Sequence, residues 1–599
     1  MNLSSTIKSI QDIMRKDDGV DGDAQRLGQL TWMLFLKVFD QREEEWEDDN
    51  PKYKSPLPKA MRWRNWAAYV AGPDGKKAPQ KAGSEIVSFV NNELFPKLKE
   101  LDANASPQHK VIRSVFEDAN NYMKSGTQLL AVIEKLEEAI NFHDFKTRAN
   151  LGDVYEQLLN DLRGAGNAGE FYTPRAITQF MADRLNPSLA KRETVMDPAC
   201  GTGGFLTAAI DHLRNQLTAK SSSADKAAIE GLIRGIEKKQ LPHLLCTTNM
   251  LLHGIDVPSQ IEHRNTLGIG WNEWSANDKV DCIITNPPFG GYEDDGVGGD
   301  YPADLRTRET ADMFMALIVK KLLKENGRSA VVLPDGFLFG TGIKDTLKKM
   351  LLRDCKLHTI VRLPKGVFAP YTTIKTNLLF FTKGAVMDDG TEHFHTDTIW
   401  YYEHPYPPGY KSYSKTKPIR FEEFKLEQEW WGSEDDGFSA RERYDSDETI
   451  ADKRAWKYEF GKARSSAEAA AKPHWDRAEQ LTNEASALDN RIRDLRESIK
   501  GVSDVKLRQP SEVEIDALRT QADTLRLQAR DAQASGDRLY WPIYNLDLKN
   551  PNAPDEESHD PDVLLGKYKT LLGQIEETEN RLKSELGAAL AHHIAGEVE

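Results

Sequence analysis

Disulfide chemistry has little to work with in this chain, whose 599 residues include four cysteines, Cys200, Cys246, Cys282 and Cys355, all far apart. No CxxC pair points to zinc and no dense framework points to disulfides, so reduced thiols in a cytoplasmic protein are expected. The 14 histidines are scattered, with His592 and His593 in a tail, and no metal site is expected. A run of about 18 apolar residues is missing too, which excludes a membrane-spanning helix. The opening MNLSSTIKSIQDIMRKDD lacks the apolar core of a signal peptide. Positive charge is also in deficit: 79 Lys and Arg face 94 Asp and Glu, for a net charge of −15. Phosphate contacts dominate nucleic-acid affinity and require cations. A protein this acidic reaches nucleic acid through a local basic track or a basic partner.

What is present is the composition of an ordinary globular protein, 39% hydrophobic and 29% charged. The length suggests roughly three or four domains. Residues 1–150 look helical: 25–39 is a strong apolar run of helix formers, and 51–58 and 72–83 collect Pro and Gly as loops. No catalytic motif falls here, so an accessory domain is expected. Over 151–400 short apolar runs (195–196, 233–236, 280–285, 330–333, 359–363, 377–382) alternate with helical segments, the pattern of an α/β, parallel, doubly wound sheet. Residues 401–450 read as an irregular extension. From 451 to 599 the pattern is helical and coiled-coil-like, with apolar 4-3 spacing over 481–499, 515–532 and 564–582. A seam reveals no partner: an intramolecular hairpin and a docking arm for another subunit both satisfy it.

Three motifs carry chemistry. Asp197-Pro-Ala-Cys-Gly-Thr-Gly-Gly-Phe205 follows a β-like Thr-Val-Met. Its glycines permit a tight strand-to-helix turn and close backbone approach to a ligand. The loop opens with an acid and has no P-loop lysine, which disfavours phosphate and suits a cationic ligand such as the sulfonium and amino groups of S-adenosylmethionine. Arg234-Gly-Ile-Glu237 then ends an apolar strand with an acid, placed to accept hydrogen bonds from two ribose hydroxyls. Asn286-Pro-Pro-Phe289 ends the strand 280–285. Two prolines remove two N–H donors and leave acceptors facing one point. That suits a planar exocyclic amine, with Phe289 as a stacking face.

Together these motifs resemble the N6-adenine DNA methyltransferases of the γ group and, more narrowly, the modification subunits of type I restriction–modification systems. The upstream segment Gly169-Glu-Phe-Tyr-Thr-Pro-Arg-Ala-Ile177 is similar to that family's cofactor-binding element. The resemblance implies a Rossmann-like core flanked by helical regions. It implies a cofactor site for S-adenosylmethionine shaped by Asp197, Ala199, Gly201, Gly203, Gly204 and Phe205 and lined by Glu170, Phe171, Tyr172 and Thr173, with Glu237 on the ribose. Asn265 stands where the family often has an acid against the cofactor's adenine. Catalysis falls to Asn286, Pro287, Pro288 and Phe289. The target base is unreachable inside a stacked duplex and must flip out, at a few kcal/mol. Its N6 hydrogens would go to the Asn286 side chain and the Pro287 carbonyl. Phe368 is either a second aromatic for that base or a packed core residue. The Gly-rich, acidic stretch 290–311 is either a loop that orders when DNA enters or a disordered insertion.

No segment looks like an independent base-reading module. The resemblance implies that specificity comes from another subunit, with two modification subunits per specificity subunit, double-stranded DNA as substrate and a restriction or translocase subunit as a further companion. Three rival readings fit single features: a protein-glutamine methyltransferase, a stand-alone adenine methylase, and a non-catalytic cofactor-binding scaffold. The long helical flanks disfavour the first, and the intact Asn286 and Phe289 disfavour the last.

Overall fold

The apolar runs of the middle of the chain assemble into one sheet. In a computed structural model, which describes residues 3–71, 77–141, 155, 172–369, 372–385, 393–414, 416–450, 452–553 and 561–595, it has nine strands. They are β1 (Val195–Asp197), β2 (Ile233–Glu237), β3 (Ile261–His263), β4 (Val280–Thr285), β5 (Leu323–Pro334), β6 (Cys355–Arg362), β7 (Thr376–Lys383), β8 (Ile399–Glu403) and β9 (Ala455–Tyr458). Their spatial order is β9-β8-β6-β7-β5-β4-β1-β2-β3. The half from β3 to β5 is parallel throughout. The expected all-parallel sheet is corrected on the other side. There β7 runs antiparallel to both β5 and β6, and β9 antiparallel to β8. The physical reason is the connection: the described residues between β6 and β7 carry no crossover helix, so the chain turns straight back beside β6.

Three strands were not marked by sequence. β3 is a short Ile-Glu-His with one apolar residue. β8, Ile-Trp-Tyr-Tyr-Glu, is buried and strongly β-prone but sits in a Tyr- and Pro-rich stretch. β9, Ala-Trp-Lys-Tyr, opens the segment read as helical and pairs with β8 instead.

Helices cover both faces. At the N-terminus α1 (Leu3–Met14), α2 (Asp23–Asp49) and α3 (Gly126–Ala139) enclose a core rich in Trp32, Phe35 and Phe39. α4 (Arg175–Leu185) and α5 (Gly204–Arg214) pack on one face of the sheet. α6 (Gln240–Leu252) is buried along almost its whole length, because Leu244, Leu245, Leu251 and Leu252 complete the N-terminal helical core. The N-terminal helices thus rest on the element that directly follows the β2 acid. α7 (Thr310–Leu317) packs with Val331 and Leu379 on the opposite face.

The first two C-terminal seams close on each other. α8 (Phe460–Ser498) and α9 (Val505–Tyr540) form a hairpin in which Ile492 and Leu495 meet Ile515. Trp475 Nε1 donates to Asp537 Oδ1 at 3.0 Å, and Arg526 pairs with Asp489. The hairpin's end joins the sheet: Tyr540, Tyr544 and Leu546 enter the core with Tyr401, and Arg362 donates to the Leu548 carbonyl at 2.7 Å. Lys549–Glu599, together with 451–453, forms a separate unit. Within it α10 (Pro561–Ala595) carries the third seam, and its Leu565, Tyr568, Leu571, Ile575, Leu582 and Leu586 are exposed. No helix among the described residues is long and apolar enough to cross a membrane.

Candidate active site

β1 and β4 are neighbours at the centre of the sheet, where the chain order reverses, and ligands of open α/β sheets bind at the carboxyl ends of such strands. β1 delivers Asp197. The turn that follows needs glycine at position 203, where φ is +84° and a Cβ would lie 2.8 Å from Cys246 Sγ. Gly201 also has a positive φ, +54°. The Asp197 carboxylate is fully buried and accepts from Thr285 Oγ1 at 2.6 Å and from the Ala199 amide at 3.0 Å. Burial outweighs both bonds and pushes its pKa up to about 7. Glu237, at the end of β2, reaches back under the same turn. It accepts from the Gly201 amide at 3.0 Å and the Lys239 amide at 2.7 Å, and burial raises its pKa as well.

β4 ends at Thr285 and delivers Asn286. The Asn286 amide nitrogen donates to Thr173 Oγ1 at 3.1 Å, while its Oδ1 is buried with no donor among the described residues. An unpartnered buried acceptor is costly, and this one belongs to a residue that lines the cleft bordered by the two turns. Pro287 is buried and Pro288 exposed. The two carbonyls are not equivalent, because that of Pro288 already accepts from Thr310 Oγ1. Phe289 is half-buried and packs against the cores on both faces of the sheet.

The two turns border one cleft of about 860 Å³, counting its open mouth. Of the residues expected for the cofactor, Thr173, Asp197, Ala199, Gly201, Gly204, Phe205, Glu237 and Asn265 line it, and Asn286 and Pro288 join them from the catalytic tetrad. Gly203 lies behind the wall against Cys246 and Met250. Tyr172 is buried in the N-terminal helical core. Glu170 and Phe171 lie outside the described residues. Phe368 is a buried core residue. All four cysteines are buried. Burial lifts the Cys282 and Cys355 thiols to about 12, so neither supplies a thiolate near neutral pH.

Sequence reasoning missed Lys238, Lys239, Thr266, Phe314 and Glu293, all of which line the cleft. Glu293 comes from the Gly-rich stretch after Phe289, which is anchored at several points. Tyr292 bridges Glu309, the Glu293 amide donates to the Arg308 carbonyl at 3.0 Å, and Tyr301 is buried against Trp271 with ring centroids 4.5 Å apart.

Comparison with known proteins shows the family. Residues 146–460 match the family model described as N-6 DNA methylase, and residues 3–136 match that of the HsdM N-terminal domain. The methylase subunit of the type I restriction enzyme EcoEI from Escherichia coli is 46% identical over 593 residues, 99% of each chain. A Vibrio vulnificus crystal structure, described as a modification subunit of a type I restriction enzyme, is 38% identical with a TM-score of 0.61, covering 76% of this chain and 91% of its own. A chain from a structural study of complex assembly in a type I restriction–modification system is 29% identical with a TM-score of 0.66, covering 98% and 99%.

Proposed function

The chain belongs to the methylase subunits of type I restriction–modification systems, which are DNA adenine methyltransferases, and from that premise we propose that the turn 286–289 holds the amino group of an extruded adenine beside S-adenosylmethionine in the cleft. The observation that carries the reading is the buried Oδ1 of Asn286, which has no donor among the described residues, in a cleft that Asp197 and Glu237 also line. S-adenosylmethionine supplies the methyl group. Asp197 faces its cationic end, and Glu237 takes the two ribose hydroxyls. Thr173 fixes the Asn286 amide so that its oxygen, not its nitrogen, faces the base.

Adenine N6 is a poor nucleophile because its lone pair is delocalised into the ring. Accepting both N6 hydrogens, at Asn286 Oδ1 and the Pro287 carbonyl, favours a pyramidal nitrogen whose lone pair is free to attack. Positioning and preorganised acceptors lower the barrier. Phe289 stacks on the base, worth about 1–3 kcal/mol by analogy with aromatic platforms.

The same reading assigns 1–150 as an accessory domain, 151–400 as the body of the catalytic domain, 401–450 as an extension and the helices of 451–599, beyond the strand β9 that joins the catalytic sheet, as the region that docks other subunits, in the cytoplasm. Two such chains with one specificity subunit would bind double-stranded DNA, and a translocating restriction subunit would join them. The net charge of −15 supports leaving sequence recognition to a partner. Co-expression with the products of neighbouring genes, followed by mapping of methylated adenines, tests the whole. Specific N6-methyladenine that disappears in Asn286→Ala is expected. Tight sequence-specific DNA binding by the isolated chain would contradict the division of labour.

A further inference from the structure

One carboxylate in the cleft belongs to none of the motifs. Glu293 lies beyond the catalytic tetrad, in a stretch whose acidity suggests solvent, yet its side chain is 7% exposed. Its two oxygens lie 3.0 and 2.9 Å from Lys238 Nζ, next in sequence to the acid assigned to the ribose. Oε2 is also 3.2 Å from Asn265 Nδ2. Asn265 is turned the other way from a simple replacement for an acid. Its Oδ1 is occupied by the Leu267 amide at 3.2 Å, capping its own short turn. One hydrogen of its amide nitrogen goes to Glu293 Oε2, which leaves the second for a ligand in the cleft that both residues line. Side by side the two residues offer a carboxylate acceptor and an amide donor.

That pair complements one edge of one base. The Watson–Crick edge of adenine presents the 6-amino group as donor and N1 as acceptor. Hypoxanthine and guanine present the reverse, with O6 as acceptor and N1–H as donor, and O6 would meet the carboxylate in repulsion. We propose that Glu293 and Asn265 together read the adenine of the methyl donor, Glu293 accepting from its 6-amino group and Asn265 Nδ2 donating to N1. The inference rests on the reading that this cleft takes S-adenosylmethionine. Lys238 Nζ pairs with both oxygens of the carboxylate and holds it in place at the cleft wall. Arg308 donates to the Glu293 carbonyl through Nε and Nη2 at 3.1 and 3.0 Å. The loop that starts at the catalytic turn is thereby fastened to the residue that reads the donor.

Calorimetric binding of S-adenosylhomocysteine and S-inosylhomocysteine to the full chain tests this. A site built on buried hydrogen bonds rejects the mismatched edge strongly, so the wild type is expected to prefer the adenosyl form by about 100-fold or more. In Glu293→Gln the side chain can rotate to donate to O6, and the preference is expected to fall below about tenfold. A merely structural Glu293 would weaken both ligands equally and leave the ratio intact, which overturns the proposal. Equal binding of the two ligands by the wild type overturns it without any variant. If neither ligand binds, the cofactor reading falls with it. If the adenosyl form binds well without preference, only this inference falls.

Discussion

The two turns that border the cleft leave adjacent strands and share a hydrogen bond, yet they are built in opposite ways. The turn after β1 is rich in glycine and in backbone N–H groups, and it spends them on its own acids: Ala199 on Asp197, Gly201 on Glu237. The turn after β4 has two prolines and an amide whose oxygen has no donor among the described residues. Position at the end of a strand therefore does not decide what a turn binds. The count of donors it keeps does. Under the proposed function, the turn whose amides hold buried carboxylates suits a cation, and the one stripped of donors suits an amine.

The sharpest way to break this contrast is Asn286→Ala. Methylation should fall by about 100- to 1,000-fold, the scale of removing one preorganised polar contact at a reacting atom, while cofactor affinity stays within about twofold by calorimetry. An equal loss of cofactor binding would show that the turns act as one site. The converse change, Asp197→Asn, should weaken cofactor binding by about 10- to 100-fold, the range of a hydrogen bond to a charged group, with methylation largely restored at saturating cofactor.

Acidity separates the two turns next. The Asp197 carboxyl titrates at about 7 because it is buried. Its ionised form, which a cation prefers, dominates above that pH. Cofactor affinity should therefore fall by about tenfold per pH unit below 7 and stay flat across the same range in Asp197→Asn. The smallest effect belongs to the shared bond. Thr285→Val removes a contact that lowers the Asp197 pKa, so the midpoint of that pH profile should move upward, with little change in affinity at pH 8.5.

Much of this site was legible because its residues stand where strands end. Asp197, Glu237 and Asn286 each close an apolar run, and position alone was enough to bring them to the one cleft that they line. Glu293 was not legible. Glycines and acids around it read as a solvated loop, and its burial depends on Lys238 and Asn265, distant in sequence and brought close only by the sheet. The antiparallel β7 was hidden for a related reason, since a buried strand has the same apolar pattern in either direction. β8 was masked by the tyrosines and prolines around it. The C-terminal seams announced helix packing without saying where the partner lay. For the first two it lies within the chain, a fact set by the length of the turn between them rather than by the seam.

The long helix Pro561–Ala595 has a consequence for how this chain exists in a cell. Leu565, Leu571, Ile575, Leu582 and Leu586 stand in water along it, and such a stripe is surface-active: it adsorbs, self-associates and recruits quality control. The solubility of the chain should therefore depend on its concentration, and on this helix more than on any part of the sheet.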